Sequence, residues 1–200
     1  WTLVVIALVI LNVLFWWPQS EPEVTGWEQV IRADAATLRA LPTDGTGDAI
    51  AQRHLLALIY GAGGVRDWRK LTPTQSVAWI AYAGHEQLVR LGYRQYAVRR
   101  LHQPEMPTLS ELADAYDQMD ATKLAVLTRQ VEAYALGDGA AAIQPSAPEV
   151  TRGAQTHSVN PSVIRAFATY DQTLSPLAAG FASVRRKYIT THADGLEATP

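Results

Sequence analysis

From Trp1 to Trp17 no side chain is charged, and only Thr2 and Asn12 are polar. As a helix rising 1.5 Å per residue, that run spans about 25 Å, slightly short of a hydrocarbon core of about 30 Å. The aliphatic part ends in Phe15-Trp16-Trp17, amphipathic rings suited to the headgroup level, and Pro18 stops the helix. A cleaved signal peptide would need a small-residue cleavage site after a shorter apolar stretch, and Trp16-Trp17-Pro18 does not supply one. The run therefore reads as one transmembrane helix over 1–17, with Trp1, Asn12, Phe15, Trp16 and Trp17 at the lipid or its edge. Asn12, mid-span, either hydrogen-bonds a neighbouring helix or faces lipid. The chain starts on Trp1 rather than Met, and further residues are expected before it.

Charge gives the orientation. Glu21 and Glu23 follow the run, and no Lys or Arg appears until Arg32. Positive flanks stay in the cytoplasm, so the rest of the chain is expected outside it. The expected setting is an inner (plasma) membrane crossed once, with a periplasmic domain if the source is bacterial.

Behind a polar tether at 18–25 the pattern is helical throughout. Thr25 and Glu28 have capping-box spacing and open a helix expected to reach about Ala40, closed by Pro42. A second is expected over 48–60, before Gly61-Ala-Gly-Gly64. Thr72-Pro73 opens a long helix that ends or bends at Gly92 and resumes from Tyr93 to Leu101. Thr108 to Glu111 is another capping box, Asp120 is the expected cap of the next helix, and Gly137 its stop. Helix restarts at Asn160-Pro161, and Pro176 is expected to open the last one. No segment alternates with period two long enough to make a strand. The expected fold is all-α: a helical domain over 26–137, a flexible loop or linker over 138–159, and a C-terminal helical pair over 160–193 packing on the domain.

Composition narrows the chemistry. Seventeen Lys and Arg against 19 Asp and Glu leave a net charge of −2. That is no field for holding nucleic acid and too little negative charge to imitate it. The absence of Cys removes disulfides, thiolate catalysis and the common structural zinc sites. His85-Glu86 resembles the opening of a zinc-protease motif, but position 89 is Val89, so the i+4 ligand is missing. His85 is then expected near a helix surface. The other histidines, His54, His102, His157 and His192, show no ligand spacing. A phosphate cradle at Gly61 to Gly64 would need a strand before it, and a helix precedes it instead. No Gly-x-Ser-x-Gly elbow occurs.

The remaining candidates are surfaces. Arg185-Arg186-Lys187 and Arg99-Arg100 are short basic clusters that could meet anionic lipid or an acidic partner, or simply form a solvated helix face. Trp79, Tyr82, Tyr93 and Tyr96 are aromatics at core-like spacing that could also offer contacts.

Leu71-Thr-Pro-Thr-Gln75 opening a long helix, Gly92-Tyr93-Arg94-Gln95-Tyr96, Tyr170-Asp171 and a final Tyr188-Ile189-Thr-Thr-His192 form a loose pattern over about residues 71–192. It resembles the bacterial all-helical domain-of-unknown-function family that contains the Neisseria DNA-mimic protein. The middle segment is similar to that family's Gly-Gly-Phe-x-Gln-Tyr signature, although Val89-Arg90-Leu91 replaces its approach. The resemblance implies an all-helical domain that works through protein contacts, with no catalytic site to carry over.

The leading expectation is a membrane-anchored, non-catalytic interaction or scaffold protein. It would be an accessory subunit of a larger membrane complex, such as a photosynthetic or respiratory one, with lipid and other subunits as partners and no nucleic acid. No cofactor or metal is expected. The alternatives are an extracytoplasmic ligand-binding or sensor domain with Trp79, Tyr82 and Tyr93 lining a pocket, and a hydrolase assembling His85, Glu86 and Asp117.

Overall fold

A computed structural model describes residues 33–61, 64–143 and 161–197 of the chain. The expected membrane helix with Trp1, Asn12, Phe15, Trp16 and Trp17, the tether, Thr25-Glu28 and most of the 138–159 linker lie outside the described residues. Among the described residues every regular element is helical, and no helix is long and apolar enough to cross a membrane.

The chain first forms α1 (Ala35–Arg39) and α2 (Gly45–Tyr60). The expected continuous helix to Ala40 does not pass Asp34. That residue is extended, and its carboxylate accepts the Thr37 N–H, so it starts a new helix instead of continuing one. The second helix begins three residues earlier than expected, because Asp44 accepts the N–H groups of Thr46 and Gly47.

After a 3-10 turn at Trp68–Lys70 comes α3 (Pro73–Trp79), opened by the Thr72/Gln75 capping box with Pro73 in its first turn. A π-helical turn over Ile80–Gly84 joins it to α4 (His85–His102). Gly92 breaks α4 at φ 73°, ψ 165°, so that its two halves are separate helical segments. The pair α5 (Leu109–Gln118) and α6 (Thr122–Leu136) packs as an antiparallel hairpin, its first helix held by the Thr108/Glu111 box. Asp120 does not cap α6. It sits at φ 61° in the turn, a conformation Asp tolerates, and Ala121 takes the cap position without a side-chain bond.

The segment after Gly137 is not all irregular, since α7 (Ala140–Ile143) forms a single turn. Next, α8 (Pro161–Ala179) runs straight through Pro176, and α9 (Phe181–Thr191) starts only after Gly180. A proline inside a helix costs about 3 kcal/mol in a lost hydrogen bond and ring clash. Burial of Leu174 and the packing of Leu177 on the core hold the helix across it. A last turn, α10 (Ala193–Leu196), closes the described chain.

The core is one cluster. Tyr93, Tyr96, Tyr116, Phe167 and Phe181 are its largest fully buried rings. Burying each phenylalanine contributes about 1.5–3 kcal/mol. In the assembled fold α8 lies across α4 and α6, while α9 rests on α1 and α2. The ends of the described chain are tied together by His54. Its Nδ1 accepts from Ala33 N–H at 3.1 Å, which leaves Nε2 as the donor to the Leu196 carbonyl at 2.9 Å. Gln75 donates to the carbonyls of Leu196 and Glu197 beside it.

Candidate functional site

The packing of α8 across the break in α4 creates a cleft of about 380 Å³ lined by His85, Glu86, Val89, Gly92, Asp171, Leu174, Ser175, Ala178 and Ala179. Two local events flank its α4 wall, the π turn that precedes His85 and the positive φ at Gly92. A π turn rotates the following residues relative to a regular helix. Gly84, at its end, sits 3.2 Å (as a Cβ would) from Leu112 Cδ1, so the turn lies close against α5.

At the deep end His85 is 6% exposed. Its Nδ1 is 2.7 Å from the Tyr116 hydroxyl, and its ring lies 4.4 Å from that of Phe181 at a tilt of 42°, while Phe181 in turn meets Tyr116 edge-on at 5.0 Å. Burial, reinforced by the positive charge of Arg185, pushes the imidazole down to about 4, so it is neutral near pH 7. Burial likewise raises the Tyr116 phenol well above its ordinary value, so it stays protonated.

Beside His85, Arg185 lies under the cleft edge. Its guanidinium stands 5.0 Å from the Tyr82 ring and donates to Glu86 Oε1 at 3.2 Å. Glu86 itself is largely exposed at the rim.

At the other end Gly92 and Asp171 interlock. A Cβ at Gly92 would stand 2.6 Å from Asp171 Oδ2, and the positive φ is itself unfavourable to any side chain. Glycine lets the carboxylate approach, and Oδ1 accepts the Tyr93 N–H at 2.8 Å. Asp171 thereby caps the second half of α4 from another helix. Desolvation raises its carboxyl above the ordinary value, opposed by the Tyr93 N–H. No cationic side chain pairs with it among the described residues.

The residues singled out from sequence fall in several places. Trp79, Tyr93 and Tyr96 lie in the interior. Tyr93 Oη meets Thr128 Oγ1 at 2.9 Å, Tyr96 donates to the Pro107 carbonyl, and Trp79 packs against Tyr60 and Tyr82. Their rings fill the core. His85 is buried, not at a helix surface. In the basic cluster Arg185 is buried, and Arg186 turns back onto α2, bonding the Thr43 and Asp44 carbonyls and the Asp48 carboxylate. Only Lys187 of the three points outward.

His85 and Glu86 line the cleft, and Asp117 is not among its lining residues. Asp117 pairs with Arg129 at 2.6 Å on the α5–α6 surface, while Glu86 pairs with Arg185. No group of three His, Asp or Glu side chains comes together as a metal site among the described residues. Asp171 is the functional candidate that spacing alone missed. Its only sequence signal is its place in the Tyr170-Asp171 step of the loose pattern.

No family model matches the chain, and no curated protein or solved structure does either.

Proposed function

We propose that this chain is a non-catalytic interaction subunit, tethered to a plasma membrane by residues 1–17 and engaging another subunit through the α4–α8 cleft. The observation that carries this reading is Asp171: a half-buried carboxylate, short of a cation, in an open cleft on the domain surface. Carboxylates with raised values in clefts mark functional sites, and an unpaired one favours an incoming partner. The three groups considered for hydrolysis are tied to separate structural partners, which favours binding over turnover. The uncharged run with Trp16-Trp17 at its edge supports the tether, and Glu21 with Glu23 supports a periplasmic domain.

The test is isolation of the full chain from its own membranes in mild detergent. The expected result is resistance to alkaline extraction that is lost on deleting residues 1–17, and a particle larger than the monomer containing a stoichiometric second protein. A strictly monomeric particle with no accompanying protein overturns the reading.

A further inference from the structure

We propose that the α4–α8 cleft receives the cationic end of a Lys or Arg side chain presented by the protein partner. This inference rests on the interaction-subunit reading and names the group that the cleft recognises.

Four features converge on it. The first is charge: Glu86 and Asp171 are the ionisable carboxylates of the lining, and no Lys or Arg lines it. Arg185 engages Glu86 through Oε1 from beneath, which neutralises one of the two, so the site as a whole is one negative charge in excess. The second is the state of Asp171, which has one backbone N–H on Oδ1 and no ion pair. Taking a cation there offsets the desolvation that its carboxylate already bears.

The third feature is His85, more than nine-tenths buried, in the cleft wall, with Nδ1 committed to Tyr116. Its low value keeps it neutral, so it does not repel a cation. The fourth is the wall between these groups. Val89, Leu174 and Ala178 are apolar, and they suit the methylene stem that Lys and Arg bury while their heads stay polar. A volume of about 380 Å³ lies at the small end of ligand sites, which span roughly 300–1,000 Å³, and fits one side chain better than a larger ligand.

The experiment uses the full chain in detergent micelles and follows the amide resonances of Gly92, Tyr93 and Asp171. The probes are capped tripeptides with Lys, Arg or norleucine at the centre, and butylamine. The Lys and Arg peptides are expected to shift these resonances with millimolar affinity, the norleucine peptide to leave them unmoved, and butylamine to bind more weakly than either. In Asp171→Asn the amide oxygen still accepts the Tyr93 N–H, so the fold is held while peptide affinity falls by roughly tenfold or more.

Equal binding of the norleucine peptide overturns the charge assignment, and butylamine binding as tightly as the peptides overturns the assignment to a partner's side chain. If Asp171→Asn retains wild-type affinity, the site is overturned. Failure here is separable from failure of the interaction reading. A chain that co-purifies with its second protein equally well as wild type and as Asp171→Asn sinks the cleft assignment alone, whereas a chain found alone sinks both.

Discussion

Asp171 in α8 accepts the backbone N–H of Tyr93 in α4 at 2.8 Å, across 78 positions of sequence. One carboxylate therefore does two things. It supplies the cap that the second half of α4 cannot supply for itself, and it pins α8 at the point where the cleft opens. The contact depends on the absence of a side chain at position 92.

Gly92→Ala is expected to destabilise the domain by about 2–5 kcal/mol. The left-handed backbone accounts for about 1–2 kcal/mol, and overpacking against a carboxylate adds about 1–3 kcal/mol. The new Cβ would lie 2.6 Å from Asp171 Oδ2, so either the carboxylate or the helix must shift. Urea unfolding followed by far-UV circular dichroism measures this, and a loss under about 0.5 kcal/mol would show that the junction is not tight.

His85 makes stability depend on pH. Its imidazole falls from the ordinary 6.5 to about 4 in the folded chain because burial disfavours the charged form. The unfolded chain takes up a proton below about 6.5 that the folded chain refuses, so the contribution is complete above 6.5 and is lost as pH falls towards 4. The loss amounts to about 3 kcal/mol at most. Urea melts at several values between pH 8 and pH 4 should show wild type losing more stability than His85→Gln over that window. Parallel curves would place the imidazole in contact with water.

Much of this helical frame can be read directly from residue order, because capping is local. Thr72 with Gln75 and Thr108 with Glu111 form the boxes that their spacing implies, and Gly92 breaks its helix where expected. The errors arise where distant packing decides. Pro176 is a poor residue for a helix interior, yet Leu174 buried beside it keeps α8 continuous. His85 follows a π turn that no periodicity announces, and that turn precedes its inward placement. The cleft was least legible, since Asp171 gains its role only when α8 is laid over Gly92, and nothing near Asp171 in sequence encodes that.

The Arg185-Arg186-Lys187 triplet divides by position. Arg186 bonds two carbonyls at the start of α2 and pairs with Asp48 at 2.9 Å, both partners being mostly shielded. Arg186→Ala is expected to cost about 1–3 kcal/mol, since it leaves Asp48 without its cation and removes the tie between α9 and α2. Lys187 is exposed, and Lys187→Ala is expected to change stability by no more than about 0.5 kcal/mol. Thermal melts of the two variants side by side test this, and equal losses would contradict the division.

Tyr93 and Thr128 give the fold a buried polar pair whose strength is measurable. Both are wholly buried, and their hydroxyls are 2.9 Å apart, tying α4 to α6 behind the cleft. Burial raises the Tyr93 phenol to about 12, with the Thr128 hydrogen bond acting against that shift, so Tyr93 remains a neutral hydroxyl at physiological pH. Tyr93→Phe is expected to cost about 1–2 kcal/mol, because it strands a desolvated threonine hydroxyl. Thr128→Val leaves the phenol stranded in turn and should cost a similar amount. The double variant removes both polar groups and should be closer to wild type than the sum of the single losses, with a coupling of about 0.5–1.5 kcal/mol. Unfolding free energies for the four proteins of this cycle decide the matter. Strict additivity would show that the two hydroxyls stabilise the α4–α6 contact independently.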